Sequence, residues 1–239
     1  MKRDALINWN APVRTIGIEH NADGTPIRDP FKSVWTHKGM SPVFAGRDAI
    51  AWEGENERQA LWFERFVRRA FLIAPQPEII WFEVDGYVVG HIPDFLVQRP
   101  TGTARVGVKG LTAFAFAPWT SDKLRAITRA YAQKGLLYEP VTAMDLRRPP
   151  LAHAVDEIWR ARRVRFEFDD RDHVMKALKS GPITLGDVHS VLGAGDPRRA
   201  LALHAQGVIT IDITSSALGS ASKVVAGNLD LGRYSGELP

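Results

Sequence analysis

Two ionisable residues set in apolar sequence are the first sign of chemistry. Residues 79–110 read IIWFEVDGYVVGHIPDFLVQRPTGTARVGVKG. Asp94 lies inside His91-Ile92-Pro93-Asp94-Phe95-Leu96-Val97, and Lys109 closes Arg105-Val106-Gly107-Val108-Lys109. A carboxylate held in such surroundings offers hard oxygen ligands to a divalent cation. A neighbouring ammonium can orient or deprotonate an attacking water. The same two residues also read as an ordinary ion pair at a sheet edge, and their spacing alone does not separate the two cases. Glu57 and Glu64, just upstream, could add a further acid.

The elements that must bring these groups together follow from the pattern. Asp85-Gly86 and the Pro100–Thr103 cluster divide residues 79–110 into a meander of three strands. Alternation along the last of them puts Gly107 and Lys109 on one face and Val106 and Val108 on the other. In a hairpin, Asp94 and Lys109 then project to the same side. Upstream, Leu61, Trp62, Phe63, Phe66, Val67, Ala70 and Phe71 recur at spacings of three and four. This predicts a helix over Glu53–Ala74, started by Gly54 or Asn56 and ended by Pro75 and Pro77. Glu57 and Glu64 are about two turns apart on it and share a face. Downstream, Gly110–Pro118 reads as a loop whose aromatics either stack on bases or plug a core. Ser121 and Asp122 cap a helix through Lys134, Gly135 stops it, and Leu136–Thr142 is a strand.

Pro93-Asp94 before an apolar strand, a turn, and a second strand ending in Lys109 resembles the PD-(D/E)xK restriction-like nuclease core. Trp52-Glu53-Gly54-Glu55-Asn56-Glu57-Arg58, followed by Ile79–Glu83, "IPDFLV" and Val108-Lys109, is similar to TnsA-type transposase endonucleases. The resemblance covers residues 40–145 by motif and the remainder by domain order. It implies an α/β (α+β) restriction-endonuclease-like fold, a mixed central sheet flanked by helices, followed by a winged helix-turn-helix domain. It further implies an Mg²⁺-dependent endonuclease, with Mn²⁺ able to replace Mg²⁺, and catalytic Glu57, Asp94 and Lys109. Glu57 and Asp94 would be the metal ligands. The implied partners are double-stranded DNA, a DDE transposase and an AAA+ ATPase regulator. One position departs from the pattern: two residues before the lysine the family carries a ligand side chain, and here stands Gly107. Either Glu83 or Glu64 substitutes, or the site is impaired, or the glycine marks an engineered inactive variant. An impaired site would leave a scaffold that binds DNA and partner proteins. A phage or defence nuclease on the same core is the third alternative.

The chain divides by composition into an arm (1–50), the nuclease-like region (51–148), a helical and winged region (149–229) and a tail (230–239). The arm carries Lys2, Arg3, Arg14, Arg28, Lys32 and Lys38, with a short strand over Val13–Ile18, and lies along DNA or along the protein's own surface. Pro149-Pro150 marks the main boundary. Beyond it, helices are expected at Leu151–Arg163, Asp170–Lys179, Leu185–Leu192 and from Asp196-Pro197 to Gly207. Strands are expected at Val208–Ile213 and Lys223–Ala226, the order of a winged helix. Arg198 and Arg199 would open its recognition helix. With Arg160, Arg162, Arg163 and Lys123 they form the candidate DNA-contacting cations, since guanidinium forks suit phosphate. The tail from Asp230 to Pro239 is available for docking.

Net charge is +4 over 239 residues, compatible with a polyanionic partner without requiring one. There are no cysteines, which excludes thiolate metal sites and a cysteine nucleophile. The seven histidines fall at no zinc-binding spacing. No Walker loop or dinucleotide fingerprint supports ATP or NAD chemistry. The opening MKRDALINWN has no apolar run behind it, and no stretch reaches the roughly 20 apolar residues of a membrane span. The expected location is cytoplasmic and nucleoid-associated.

Overall fold

The computed structural model describes residues 3–28, 37–42 and 49–227. Lys2, Lys32 and the tail Asp230–Pro239 lie outside the described residues. The chain is a mixed α/β protein with several sheets and, among the described residues, eight α-helices. It forms two compact units. The first takes residues up to Pro42, the stretch ending at Leu61, and Leu72–Leu146. The second takes Trp62–Phe71 and the chain from Arg147 onward.

In the first unit the order is β1 (Val13–Glu19), β2 (Lys38–Ser41), β3 (Ile50–Glu53), α1 (Glu55–Phe66), β4 (Leu72–Pro75), β5 (Ile79–Val84), β6 (Tyr87–His91), β7 (Phe95–Arg99), β8 (Gly102–Lys109), α2 (Leu111–Phe116), α3 (Thr120–Ala132), β9 (Tyr138–Thr142) and α4 (Ala143–Arg147). The unit division falls inside α1, after Leu61. The arm is no separate piece, because β1 pairs antiparallel with β5 and completes a sheet of order β1-β5-β6. Residues 79–110 form four strands in two sheets, which corrects the three-strand meander. Asp85 and Gly86, both at positive φ (52° and 73°), make the tight β5–β6 turn that the Asp-Gly pair predicts. The chain then leaves that sheet at Ile92-Pro93-Asp94, and β7 and β8 pair in a second sheet of order β4-β7-β8-β9. Strands β4, β7 and β8 are antiparallel neighbours, while β9 lies parallel to β8 after the α3 crossover. Helix α3 buries Leu124, Ala126, Ile127, Ala130 and Tyr131 in a cluster with Trp9, Ile80, Phe82 and Val84.

The helix expected over Glu53–Ala74 is shorter, and its last residues are a strand. Arg69 adopts a left-handed conformation (φ 62°), and Ala70 N–H returns to Glu64 C=O at 2.8 Å. That six-residue closure ends a helix as a C-terminal glycine would. The apolar spacing continues through it and conceals the stop. The Gly110–Pro118 loop is largely the short helix α2. Phe114 and Trp119 pack against the core, while Phe116 is 83% exposed.

The second unit continues with α5 (Leu151–Ala161), α6 (Phe168–Ala177), β10 (Ile183–Thr184), α7 (Leu185–Leu192), α8 (Arg199–Ala205), β11 (Ile209–Ile211) and β12 (Lys223–Ala226). Its sheet has the order β10-β12-β11, antiparallel throughout. Thr184 and Asp187 cap α7 reciprocally: Asp187 N–H donates to Thr184 Oγ1 at 3.1 Å and Thr184 N–H to Asp187 Oδ2 at 2.8 Å. Trp62 stacks on Trp159 with ring centroids 4.3 Å apart.

Candidate active site

Asp94 is placed by backbone pairing. Its carbonyl accepts from Gln76 N–H at 3.0 Å, which fixes the chain just before β7. The last β7–β8 partners are Phe95 and Val106. Two residues past that point Val108 N–H meets a side chain in place of a strand partner, and Asp94 Oδ2 accepts it at 2.5 Å. The Lys109 ammonium lies 3.9 Å from the same oxygen and donates to Val108 C=O at 3.1 Å.

Helix α1 delivers the second acid. Gly54, at φ 91°, turns the chain out of β3, and Glu57 follows in the first helical turn. There a carboxylate is favoured by the helix dipole and by free N–H groups. Glu57 Oε2 accepts Glu53 N–H at 2.7 Å. Burial first, and then the charge on Asp94, push the Glu57 carboxyl up to about 8; the Glu53 N–H and Lys109 oppose that rise. Burial likewise raises Asp94, against Lys109, the Val108 N–H and Arg28. The two acids are thus close enough to feel each other's charge, and Lys109 is within the field of both. Glu53 completes the surroundings: one oxygen accepts from Arg28 at 2.9 Å, and the other, Oε1, is buried with no partner among the described residues.

Asp94 and Lys109 are therefore brought together within the first unit, and Glu57 lies within reach of both charges. The substitutes considered for the missing carboxylate are not. Glu83 lies on β5 in the other sheet and pairs with Arg14. Glu64 is fully buried and pairs with Arg68 at 3.2 Å. Gly107 contributes nothing itself, but the Tyr138 hydroxyl on β9 stands against it. Sequence reasoning missed Tyr138, Glu53 and Gln76. Burial and the charge on Asp94 hold the Tyr138 hydroxyl well above its ordinary range, so it stays protonated. His91 packs edge-on to the Tyr138 ring, centroids 5.2 Å apart. Burial, then Lys109 and Lys123, push His91 down to about 3, so it is neutral, and its Nε2 has no partner among the described residues. Among the described residues no three histidines or carboxylates form a ready-made metal cluster.

The candidate DNA-contacting cations divide. Arg199 is a correction: its guanidinium is largely buried, bonds both oxygens of Asp170 at 3.0 Å, and caps the end of α7 through the carbonyls of Leu192, Gly193 and Ala194. Lys123 pairs with Asp4 at 2.6 Å beneath the Trp9 ring. Arg160 pairs with Asp156 and Arg198 with Asp196, each at 2.7 Å on the surface. Arg162 lies over the Trp159 ring at 3.3 Å, and Arg163 is exposed.

No family description matches this chain, and no curated protein matches it.

Proposed function

We propose that this chain is a metal-dependent DNA endonuclease of the restriction-like, TnsA type. In this role it cuts transposon ends as the nuclease subunit of a heteromeric transposase, with a DDE transposase and an AAA+ ATPase as partners. The observation that carries the proposal is the approach of Asp94, just before β7, to Lys109 at the end of β8, with Glu57 of α1 within reach of both charges in one unit. Element order supports it: α1, β4, β7, β8, α3 and a parallel β9 follow one another, with β5–β6 as an inserted hairpin. The α6–β10–α7–α8–β11–β12 order supports a winged helix in the second unit.

The donor set fits Mg²⁺. That ion keeps several waters and uses one or two carboxylates plus substrate phosphate, so two acids suffice where a three-ligand cluster is lacking. The raised Glu57, beside an orphaned Glu53 oxygen, marks negative charge held together without enough compensation. Asp94 and Glu57 would hold the cation, which supplies Lewis acidity toward the phosphate and a more acidic bound water. Glu57 would give up its proton on becoming a ligand, so cation binding would release a proton. The Val108 N–H fixes the Asp94 carboxylate, which therefore needs no rearrangement to serve. Lys109 sets a positive charge beside Asp94, where charge develops on the phosphoryl oxygens during cleavage. Arg160, Arg162, Arg163 and Arg198 remain the arginines for phosphate contact.

Cleavage of supercoiled DNA bearing a cognate end, with Mg²⁺ or Mn²⁺, tests the proposal. Asp94→Ala and Lys109→Ala each lower the rate at least about 100-fold while preserving DNA binding. A wild-type chain that binds no Mn²⁺ and nicks no end sequence overturns it. Gly107 favours one second reading, a nuclease-derived scaffold that holds DNA and protein partners without cutting. It predicts DNA binding unaffected by either substitution and no cleavage under any metal.

A further inference from the structure

Position 107 is where the pocket lacks a side chain, and the space beside it is filled. A Cβ on Gly107 would lie 2.8 Å from Cζ of Tyr138 and 3.2 Å from Cε2, with the hydroxyl oxygen nearer still. Glycine at 107 and tyrosine at 138 are therefore one coupled choice. The parallel β8–β9 register pairs Tyr138 with Arg105, and the hydroxyl reaches along the strand to Gly107, two residues on. Since Phe95 pairs with Val106, the next position outward sets Asp94 beside Gly107 on the neighbouring strand.

Packing accounts for the ring and not for its oxygen. The ring stacks on Tyr131, centroids 5.3 Å apart and planes 2° from parallel, and phenylalanine would do the same. Tyr138 is 2% exposed, yet its hydroxyl has no hydrogen-bond partner among the described residues. Buried polar groups in folded proteins are ordinarily paired, so an orphan within the field of the Asp94 carboxylate points to a ligand. His91 Nε2, at the edge of the same ring, is a second buried atom without a partner.

We infer that Tyr138 supplies the third oxygen of the cation pocket formed by Asp94 and Glu57, standing in from the adjacent strand for the carboxylate that position 107 lacks. This rests on the metal-dependent reading above. The substituted oxygen is neutral, so the pocket holds one negative charge fewer than a three-carboxylate site. It relies correspondingly more on oxygens brought by the substrate phosphate.

Calorimetric titration of Mn²⁺ into the full-length chain, with thermal unfolding of the metal-free protein, decides the matter. Tyr138→Phe keeps the ring and removes only the hydroxyl. The expected result is Mn²⁺ affinity about tenfold weaker together with a metal-free unfolding midpoint equal to or above that of the wild type. Asp94→Ala abolishes binding. If Tyr138→Phe binds Mn²⁺ like the wild type while Asp94→Ala does not bind, the inference falls and the metal reading stands. If Tyr138→Phe loses affinity and unfolds at a lower temperature, the hydroxyl is structural and the inference also falls. A wild-type chain without Mn²⁺ binding removes both.

Discussion

Arg199 in one unit and Asp94 in the other are charged side chains held largely out of water, and their surroundings differ. Around Arg199 the donors are matched: Asp170 takes two bonds at 3.0 Å, three carbonyls at the end of α7 take Nη2, and the Asp196 carbonyl takes Nε. Close by in that unit, His204 bridges two backbone groups, accepting from Ile211 N–H at 3.0 Å and facing Phe66 C=O at 3.1 Å. Around Asp94 the accounts are open. Two acids share one neighbourhood, and Tyr138 Oη, His91 Nε2 and Glu53 Oε1 are buried without partners among the described residues. A closed network rigidifies a fold, whereas unmatched polar atoms leave a place where something else binds. The comparison therefore predicts opposite responses to substitution in the two regions.

The largest effect is expected at Arg199. Arg199→Ala leaves the Asp170 charge and the α7 carbonyls without their donor, at a cost of about 3–5 kcal/mol. Urea unfolding reads it directly. Arg198→Ala, which removes only an exposed, solvent-screened pair with Asp196, leaves the urea midpoint essentially unchanged. Equal effects at the two positions would erase the distinction drawn above.

Next comes His204. The Ile211 N–H can only donate, so Nδ1 is unprotonated and Nε2 carries the hydrogen toward Phe66. Burial pushes the group down from 6.5 to about 4, with Arg65 and Arg69 adding to it against the Phe66 carbonyl. Because the folded value is depressed, the unfolded chain takes up the proton first. Stability is full above pH 6.5 and falls as pH drops toward 4, by on the order of 3 kcal/mol. The difference in urea midpoint between wild type and His204→Gln, followed across that window, isolates the contribution. A pH-independent difference would show that the imidazole titrates freely in the folded protein.

These responses show which features the sequence carried openly. The Asp85-Gly86 turn, the β12 strand and the α7 cap were legible because each depends on residues a few places apart. The positions of Glu57 in the first turn of α1, and of Asp94 and Lys109 at adjoining ends of β7 and β8, were legible because each lies at the end of an element whose pattern is clear. The β4 strand was not, since Leu72-Ile73-Ala74 continues a helical spacing and the stop lies in the conformation of Arg69, with no glycine to announce it. Strands β6 and β7 merged in the reading because Ile92-Pro93 carries no turn pair. Arg199 misled because an arginine opening a helix looks the same whether it faces DNA or caps the preceding helix. Tyr138 was hidden most deeply: its nearness to Gly107 is set by the register of a parallel pair joined through α3.

That register also changes what Gly107→Glu should do. A carboxylate there has no room while Tyr138 is in place, so the single substitution does not repair the pocket. It overpacks β8 against β9 and costs about 2–3 kcal/mol. Thermal unfolding checks the cost. Tyr138→Ala in the same chain relieves it, which a clash elsewhere would not explain.

The smallest effect has the opposite sign. Glu57 is raised from 4.5 to about 8, so in the metal-free protein folding favours the protonated acid. The unfolded chain ionises first, and stability falls as pH climbs from 4.5 through 8, the reverse of the His204 slope. Glu57→Gln replaces the acid by a neutral group of the same shape that cannot ionise. At pH 7 the variant is expected to be about 1–2 kcal/mol more stable than the metal-free wild type, while losing Mn²⁺ affinity. Unfolding curves with and without Mn²⁺ measure both: wild type gains stability on adding the metal, and the variant does not. A Glu57→Gln chain less stable than wild type at pH 7 would place this acid among the matched groups, with Asp170 and His204, and take it out of the site.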